Sequence, residues 1–236
     1  MKRYNRHSVA LGAFVMTAAL MLASPAKGTG PVRNGNPILV FMNIRAGDCS
    51  IADPAVGMIT SVTPLDSLLY NRNDEGGAPV FCNPVLAPDG HQLTLGEFEA
   101  VKGSASLKCT GAGTHSVLHF SGLHPKGTYT AWLFVKNAAG EFTAIGALGT
   151  TMPIENYFTA SQAGEGQLSV TTPEEDLSAF GHVGPCFLET PFEIHLVYHA
   201  DNETHGPGPG ANETWVTNAL FLFRESRAPG LRPSNA

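Results

Sequence analysis

Gly113-Thr-His-Ser-Val-Leu-His-Phe-Ser-Gly-Leu-His-Pro-Lys-Gly-Thr-Tyr-Thr-Ala-Trp-Leu-Phe-Val-Lys136 is the stretch that decides the fold. Two runs rich in β-branched and aromatic residues, Thr114–Ser121 and Thr128–Lys136, read as strands. Between them His124-Pro-Lys-Gly127 carries the turn chemistry of Pro and Gly. Working outward, the same signature recurs at Gly103–Cys109, Phe142–Leu148, Tyr157–Ala160, Gln167–Thr171, Phe192–His199 and Thr214–Phe223. Gly111-Ala-Gly113, Asn137-Ala-Ala-Gly140, Gly164-Glu-Gly166 and Gly206-Pro-Gly-Pro-Gly210 punctuate these runs as turns. Upstream, after a Gly/Asn/Pro-rich lead from Gly28 to Pro37, Ile38–Ile44 predicts one more strand. The following fifty residues are irregular. There Thr63-Pro-Leu-Asp66 predicts a short helix to about Tyr70, with a capping hydroxyl, Pro at the first position and an early carboxylate. Asn71–Gly77 reads as a polar loop and Pro88-Asp-Gly90 as a turn. Thr172-Pro-Glu-Glu-Asp176 repeats the helix-start pattern, with Gly181 as its stop. Glu174, Glu175 and Asp176 there suit the positive end of a helix dipole. Many short strands, little helix and an even number of cysteines predict an all-β, antiparallel, Greek-key-like sandwich with one or two short helices, linked by disulfides.

The chain has 236 residues and opens with the basic Met1-Lys-Arg3 and Arg6. An apolar run from Val9 to Ala23 follows, then Ser24-Pro-Ala26. This is the order of a secretory signal, and cleavage is expected after Ala26. The apolar run falls short of the roughly 20 residues needed to span a bilayer, and no later run is longer. The expected organisation is therefore a signal peptide over 1–26, one β-sandwich domain over 27–223 and a flexible tail over 224–236. The mature product is expected to be secreted or periplasmic, with no membrane span. Without Lys2, Arg3 and Arg6, 11 basic residues face 20 acidic ones, a net charge near −9. Phosphate binding needs clustered Lys and Arg, so nucleic acid is excluded as a partner. Four cysteines in an oxidising compartment read as two disulfides with three connectivities. The expected pairs are Cys49 with Cys82 and Cys109 with Cys186. Spacings of 33, 27 and 77 residues suit no zinc motif.

Leu95-Gly-Glu-Phe98, Ala105–Cys109, Gly113-Thr-His115-Ser-Val-Leu-His119-Phe-Ser-Gly-Leu123 and Pro125–Trp132 resemble phrases of a group of exported prokaryotic proteins. Phe158–Gly164, Phe192-Glu-Ile-His-Leu-Val-Tyr-His199 and Thr204-His205-Gly-Pro-Gly-Pro209 are similar to theirs as well. The resemblance runs from about Thr94 to Phe223. It implies export and a β fold, and it carries over no activity and no catalytic residue.

The best lead to chemistry is crowding of imidazoles. Five of the nine histidines fall in two short stretches, His115 with His119, and His195, His199 and His205. Imidazole is the commonest side-chain metal ligand. The triplets Ser-Val-Leu and Leu-Val-Tyr place the first two pairs on strands, where residues four apart share a face but stand ~13 Å apart. Neither pair alone can hold one ion. A site would need cross-strand partners, such as His115 or His119 beside His195 or His199. The better local candidate is His199-Ala-Asp201-Asn-Glu-Thr-His205, which leaves a strand for a loop. His199, Asp201 and His205 can then converge, and two imidazoles with a carboxylate suit zinc or copper(II). A copper/zinc dismutase would need a His-x-His pair, a blue-copper site a Cys beside His and Met, and a hydrolase elbow a Gly-x-Ser-x-Gly. None of these is present. Trp132 and Trp215 read as packing residues. The sequence therefore predicts a non-catalytic binding or structural module, with His195, His115 or His119 completing a metal shell around His199, Asp201 and His205. Two alternatives stand beside it: a zinc- or copper-dependent extracytoplasmic enzyme, and an adhesion or surface-assembly protein with an unknown protein or glycan partner.

Overall fold

A computed structural model of the protein describes residues 32–39, 44–47, 57–75, 78–136, 141–150, 154–173, 186–189, 191–206, 208, 210–211 and 214–223. Its strands are β1 (Val32–Gly35), β2 (Ile44–Ala46), β3 (Leu69–Glu75), β4 (Ala78–Pro84), β5 (Lys102–Thr110), β6 (Gly113–Ser121), β7 (Thr128–Lys136), β8 (Phe142–Ala147), β9 (Tyr157–Thr159), β10 (Gly166–Thr172), β11 (Phe192–His199) and β12 (Trp215–Phe223). One sheet has the order β1-β5-β6-β10. The second has the order β12-β11-β7-β8, with β9 also on β7, and β2-β3-β4 form a third, small sheet. Every ladder among the described residues is antiparallel. The chain passes between the two large sheets from β6 to β7, from β9 to β10 and from β10 to β11, so β6 pairs with β10 and β7 with β11. That interleaving is the Greek-key habit of sandwiches.

Alternation explains the layers. On β5, Ala105 and Leu107 point inward while Ser104, Ser106 and Lys108 are exposed, as in a sheet with one wet face. Leu118 and Phe120 of β6 and Leu168 and Val170 of β10 join them. From the second sheet Tyr129, Ala131 and Leu133 of β7, Phe192, Ile194 and Leu196 of β11 and Phe221 of β12 meet this face in one core. Ring contacts such as Phe120 with Phe158 and Phe221, each at 5.8 Å, cross it. The second sheet also buries much of its outer face. All eight residues of β11 are buried, and Trp132, Ala147 and Val197 form a smaller cluster there with Phe134 and Trp215 against it. The third sheet extends the core through Ile44, Leu69 and Val85. It is tied to the sandwich by Asn71 Nδ2 donating to the Trp215 carbonyl at 2.9 Å and Tyr198 Oη donating to the Leu86 carbonyl at 2.7 Å.

Cys109 near the end of β5 is bonded to Cys186, with a Cα–Cα distance of 5.6 Å. Cys186 opens the short 3-10 turn Phe187–Glu189 that leads into β11, so this bridge joins the two large sheets, as expected. Cys82 on β4 is also disulfide-bonded. Its expected partner, Cys49, lies outside the described residues, as do the signal segment 1–26, the tail 224–236 and the body of the helix expected after Pro173. Among the described residues, no helix is long and apolar enough to cross a membrane.

Four local expectations are corrected. Thr63–Tyr70 is no helix. Thr63 Oγ1 accepts the N–H of Thr60 behind it at 2.9 Å instead of capping forward. A turn closes from Ser67 N to the Pro64 carbonyl, and Leu69, fully buried, opens a strand against Leu93. Asn71–Glu75 is strand rather than loop, with Asn71 and Arg72 buried despite their polarity. Ile38–Ile44 is not one strand: Ile38 bridges Leu220 of the second sheet whereas Ile44 belongs to the third. Finally, α1 (Leu95–Glu99) lies where no helix was expected. A capping box builds it, Thr94 Oγ1 accepting from Glu97 N and the Glu97 carboxylate accepting from Thr94 N. The Thr-x-x-Glu spacing was its sequence signature.

Candidate metal centre

β11 ends at His199, and the chain turns at once, Asn202 N donating to the His199 carbonyl at 3.0 Å. Asn202 takes a left-handed conformation, φ +59°, which Asn tolerates better than most residues. Its side chain and carbonyl both accept from Thr128 Oγ1, at 2.9 and 3.1 Å. The neighbouring strand β7 thereby holds the turn. Asp201 Oδ1 accepts from Glu203 N at 3.1 Å, which leaves Oδ2 to His205 Nε2 at 2.8 Å. The Gly206–Gly210 loop then brings Gly210 against the His205 ring: a Cβ at Gly210 would lie 2.6 Å from Cγ and 3.0 Å from Nε2, and the backbone there has φ +88°. Only glycine lets the loop approach so closely.

The result is a convergent set. One ligand atom each from His199, Asp201 and His205 lies within 4.8 Å of the other two, and the two imidazole rings are 5.8 Å apart. His199 is fully buried, whereas Asp201 is exposed and His205 half-buried. Burial lowers the pKa of His199 to about 4, helped by His205 and opposed by the Asp201 carboxylate. The ring is therefore neutral at neutral pH, the state that binds a metal. Nε2 of His199 contacts Thr130 Oγ1 at 2.8 Å, and Nδ1 is buried with no hydrogen-bond partner among the described residues.

The remaining histidines of the two stretches are elsewhere. His115 and His119 stand on β6, flanked by Lys108 and Thr171 and by Ser104 and Gln167. The strands beside β11 are β7 and β12, so the cross-strand pairing expected between the two His stretches does not form. The intersheet crossing after β6 sends β7, not β6, alongside β11. His115 Nδ1 meets Thr171 Oγ1 at 3.2 Å, and His119 is exposed. His195 shares the outer face of β11 with His199 but is engaged otherwise. Its Nε2 lies 3.0 Å from Glu193 Oε2 and its ring stacks on Phe134 at 4.0 Å. Burial lowers its pKa, against the pull of Glu193. Glu193 is also bonded to Lys136. Burial alone would raise its pKa, but Lys136 and His195 hold it below the usual carboxylate value. Glu193 therefore carries the negative charge and His195 donates to it as a neutral ring.

Sequence reading passed over Thr128, Thr130, Trp132 and Gly210 as parts of this centre. Once the β7/β11 register is known, Thr130 is diagonal to His199, a distance side chains on one sheet face can span. It also missed a cleft of about 500 Å³ whose lining includes Asp89, His91, Glu97, His124 and Lys126. There His91 is held between Asp89 Oδ1 at 2.5 Å and Glu97 Oε1 at 2.9 Å. The hydrogen bonds to Asp89 and Glu97 raise its pKa.

Fold and site together define the class: a disulfide-linked antiparallel β-sandwich with a His-Asp-His cluster where β11 leaves its sheet. No family model matches the chain, and no curated protein is significantly similar to it.

Proposed function

We propose that this protein is an exported, non-catalytic binding module that holds a divalent transition metal, zinc or copper(II), through His199, Asp201 and His205. The observation that carries this reading is the convergence of three ligand atoms within 4.8 Å, one of them from a fully buried histidine. Imidazole and carboxylate together suit zinc and copper(II), whereas calcium and magnesium prefer shells of oxygen alone. Export is supported by the Met1–Ala26 pattern and by the Cys109–Cys186 bond, which persists in oxidising compartments.

The test is calorimetric titration of the purified protein with zinc and with copper(II), followed by elemental analysis. One equivalent is expected to bind in the wild type and none in His199→Ala/His205→Ala, with the circular dichroism spectrum of the variant unchanged. Stoichiometric metal retained by that variant would move the ion elsewhere. Three protein ligands leave a fourth position of a tetrahedral ion open. Turnover of an ester or redox substrate that requires the bound ion and all three ligands would convert the module into the enzyme reading.

A further inference from the structure

The two nitrogens of His199 meet different surroundings. Nε2 faces Thr130 Oγ1, and that oxygen also accepts the indole N–H of Trp132 at 2.8 Å. His199, Thr130 and Trp132 are 0, 3 and 4% exposed, so this relay lies inside the protein. Nδ1 is equally buried and pairs with nothing among the described residues. It is also the ring nitrogen nearer the backbone, on a residue whose carbonyl closes the turn carrying Asp201.

From this asymmetry we infer that His199 binds its ion through Nδ1, and that Thr130, anchored by Trp132, is the positioning residue that accepts the Nε2–H of the ion-bound ring. The inference rests on the metal reading above and assigns how that site is built. A neutral imidazole has one N–H and one lone pair, so the nitrogen that binds metal leaves the hydrogen on the other. With the hydrogen on Nε2, it donates to Thr130 Oγ1. A hydroxyl oxygen has two lone pairs, and Trp132, a donor only, takes just one of them. Without an ion, either tautomer leaves one buried hydrogen without an acceptor among the described residues, Nδ1–H or the Thr130 O–H; an ion on Nδ1 takes up the unpartnered lone pair and fixes the hydrogen on Nε2. A ligating histidine usually gives its other N–H to such a partner, which fixes both tautomer and ring orientation.

The experiment is long-range 15N–1H correlation spectroscopy on the full chain labelled with 15N-histidine, before and after addition of zinc sulfate. The expected result is a zinc-induced shift at Nδ1, with Nε2 protonated in the zinc-bound protein. Zinc titrations of two variants accompany it. Thr130→Val is expected to weaken binding by about 10- to 100-fold, the usual cost of losing an outer-shell partner. Thr130→Ser, which restores the hydroxyl, is expected to bind as the wild type does. Coordination at Nε2, a zinc-bound ring without Nε2–H, or wild-type affinity in Thr130→Val would each overturn the inference while leaving the metal site standing. A wild-type protein that takes up no zinc or copper(II) would instead sink the metal reading, and the Nδ1 assignment with it. Should Thr130→Val fail to fold, the wild-type spectra decide the assignment alone.

Discussion

His124 is 4% exposed, its Nε2 is buried without a partner among the described residues, and burial lowers its pKa to about 4. An unfolded histidine titrates near 6.5, so between these values the unfolded chain binds the extra proton. Stability from the neutral ring is therefore complete above about pH 6.5 and is lost as pH falls toward 4, by on the order of 3 kcal/mol. His199 acts in the same window with the same sign. Urea unfolding from pH 7.5 to 4.5 should show the midpoint falling in wild type and falling less in His124→Asn. Parallel pH curves would mean that His124 burial does not control acid stability. Gly210 is the second residue on which much depends. In Gly210→Ala the new methyl group collides with the His205 ring, and the left-handed backbone disfavours any Cβ. Zinc affinity is expected to fall at least tenfold with the far-ultraviolet spectrum intact, and unchanged affinity would show that the loop does not hold His205 in place.

Two elements show how local chemistry and tertiary pairing divide the work. Helix α1 is only one turn and a half long, too short to persist alone. Its capping box and the buried Leu95 and Phe98 hold it. Thr94→Ala removes the hydroxyl that accepts from Glu97 N and donates to Glu97 Oε2, so a loss of about 1 kcal/mol is expected, read from the shift in urea midpoint. At Thr63–Asp66, by contrast, an equally good helix start is overridden. Leu69 loses all exposure by pairing with Ala46 of β2 and bonding to Val85 and Leu93, and the turn before it serves that pairing. Local propensity is worth tenths of a kcal/mol per residue, whereas burying a leucine is worth about 2. The stronger effect sets the element.

At the scale of the whole molecule, the Cys109–Cys186 bond spans 77 residues of sequence and joins the two large sheets. Closing a loop of that size restricts the unfolded chain by about 4.5 kcal/mol in the chain-entropy model. Cys109→Ala/Cys186→Ala is expected to lose most of that amount in chemical denaturation, and a loss under 1 kcal/mol would mean that the sheets hold together without the bridge. Metal acts on the same balance. At a hundredfold excess over its dissociation constant, a bound ion adds about 2.7 kcal/mol. The melting temperature should therefore rise with zinc or copper(II) in wild type and stay fixed in His199→Ala/His205→Ala.

Eight of the twelve strands among the described residues, β5 to β12, were legible from the chain alone, because side-chain alternation and Gly, Pro and Asn turns are local properties. The convergence of His199, Asp201 and His205 was legible for a similar reason: all three lie within seven residues at a strand end. The strand neighbours were not legible. Whether β6 or β7 runs beside β11 depends on how the chain crosses between sheets, and no short-range pattern encodes that choice. The same crossing separates His115 and His119 from the centre and brings Thr130 and Trp132 to it. Periodicity thus determined the strands and a turn chemistry able to gather three ligands. Tertiary structure decided which strand lies behind them, because cross-sheet packing of Tyr129, Leu133, Ile194 and Phe221 buries far more apolar surface than any local contact can.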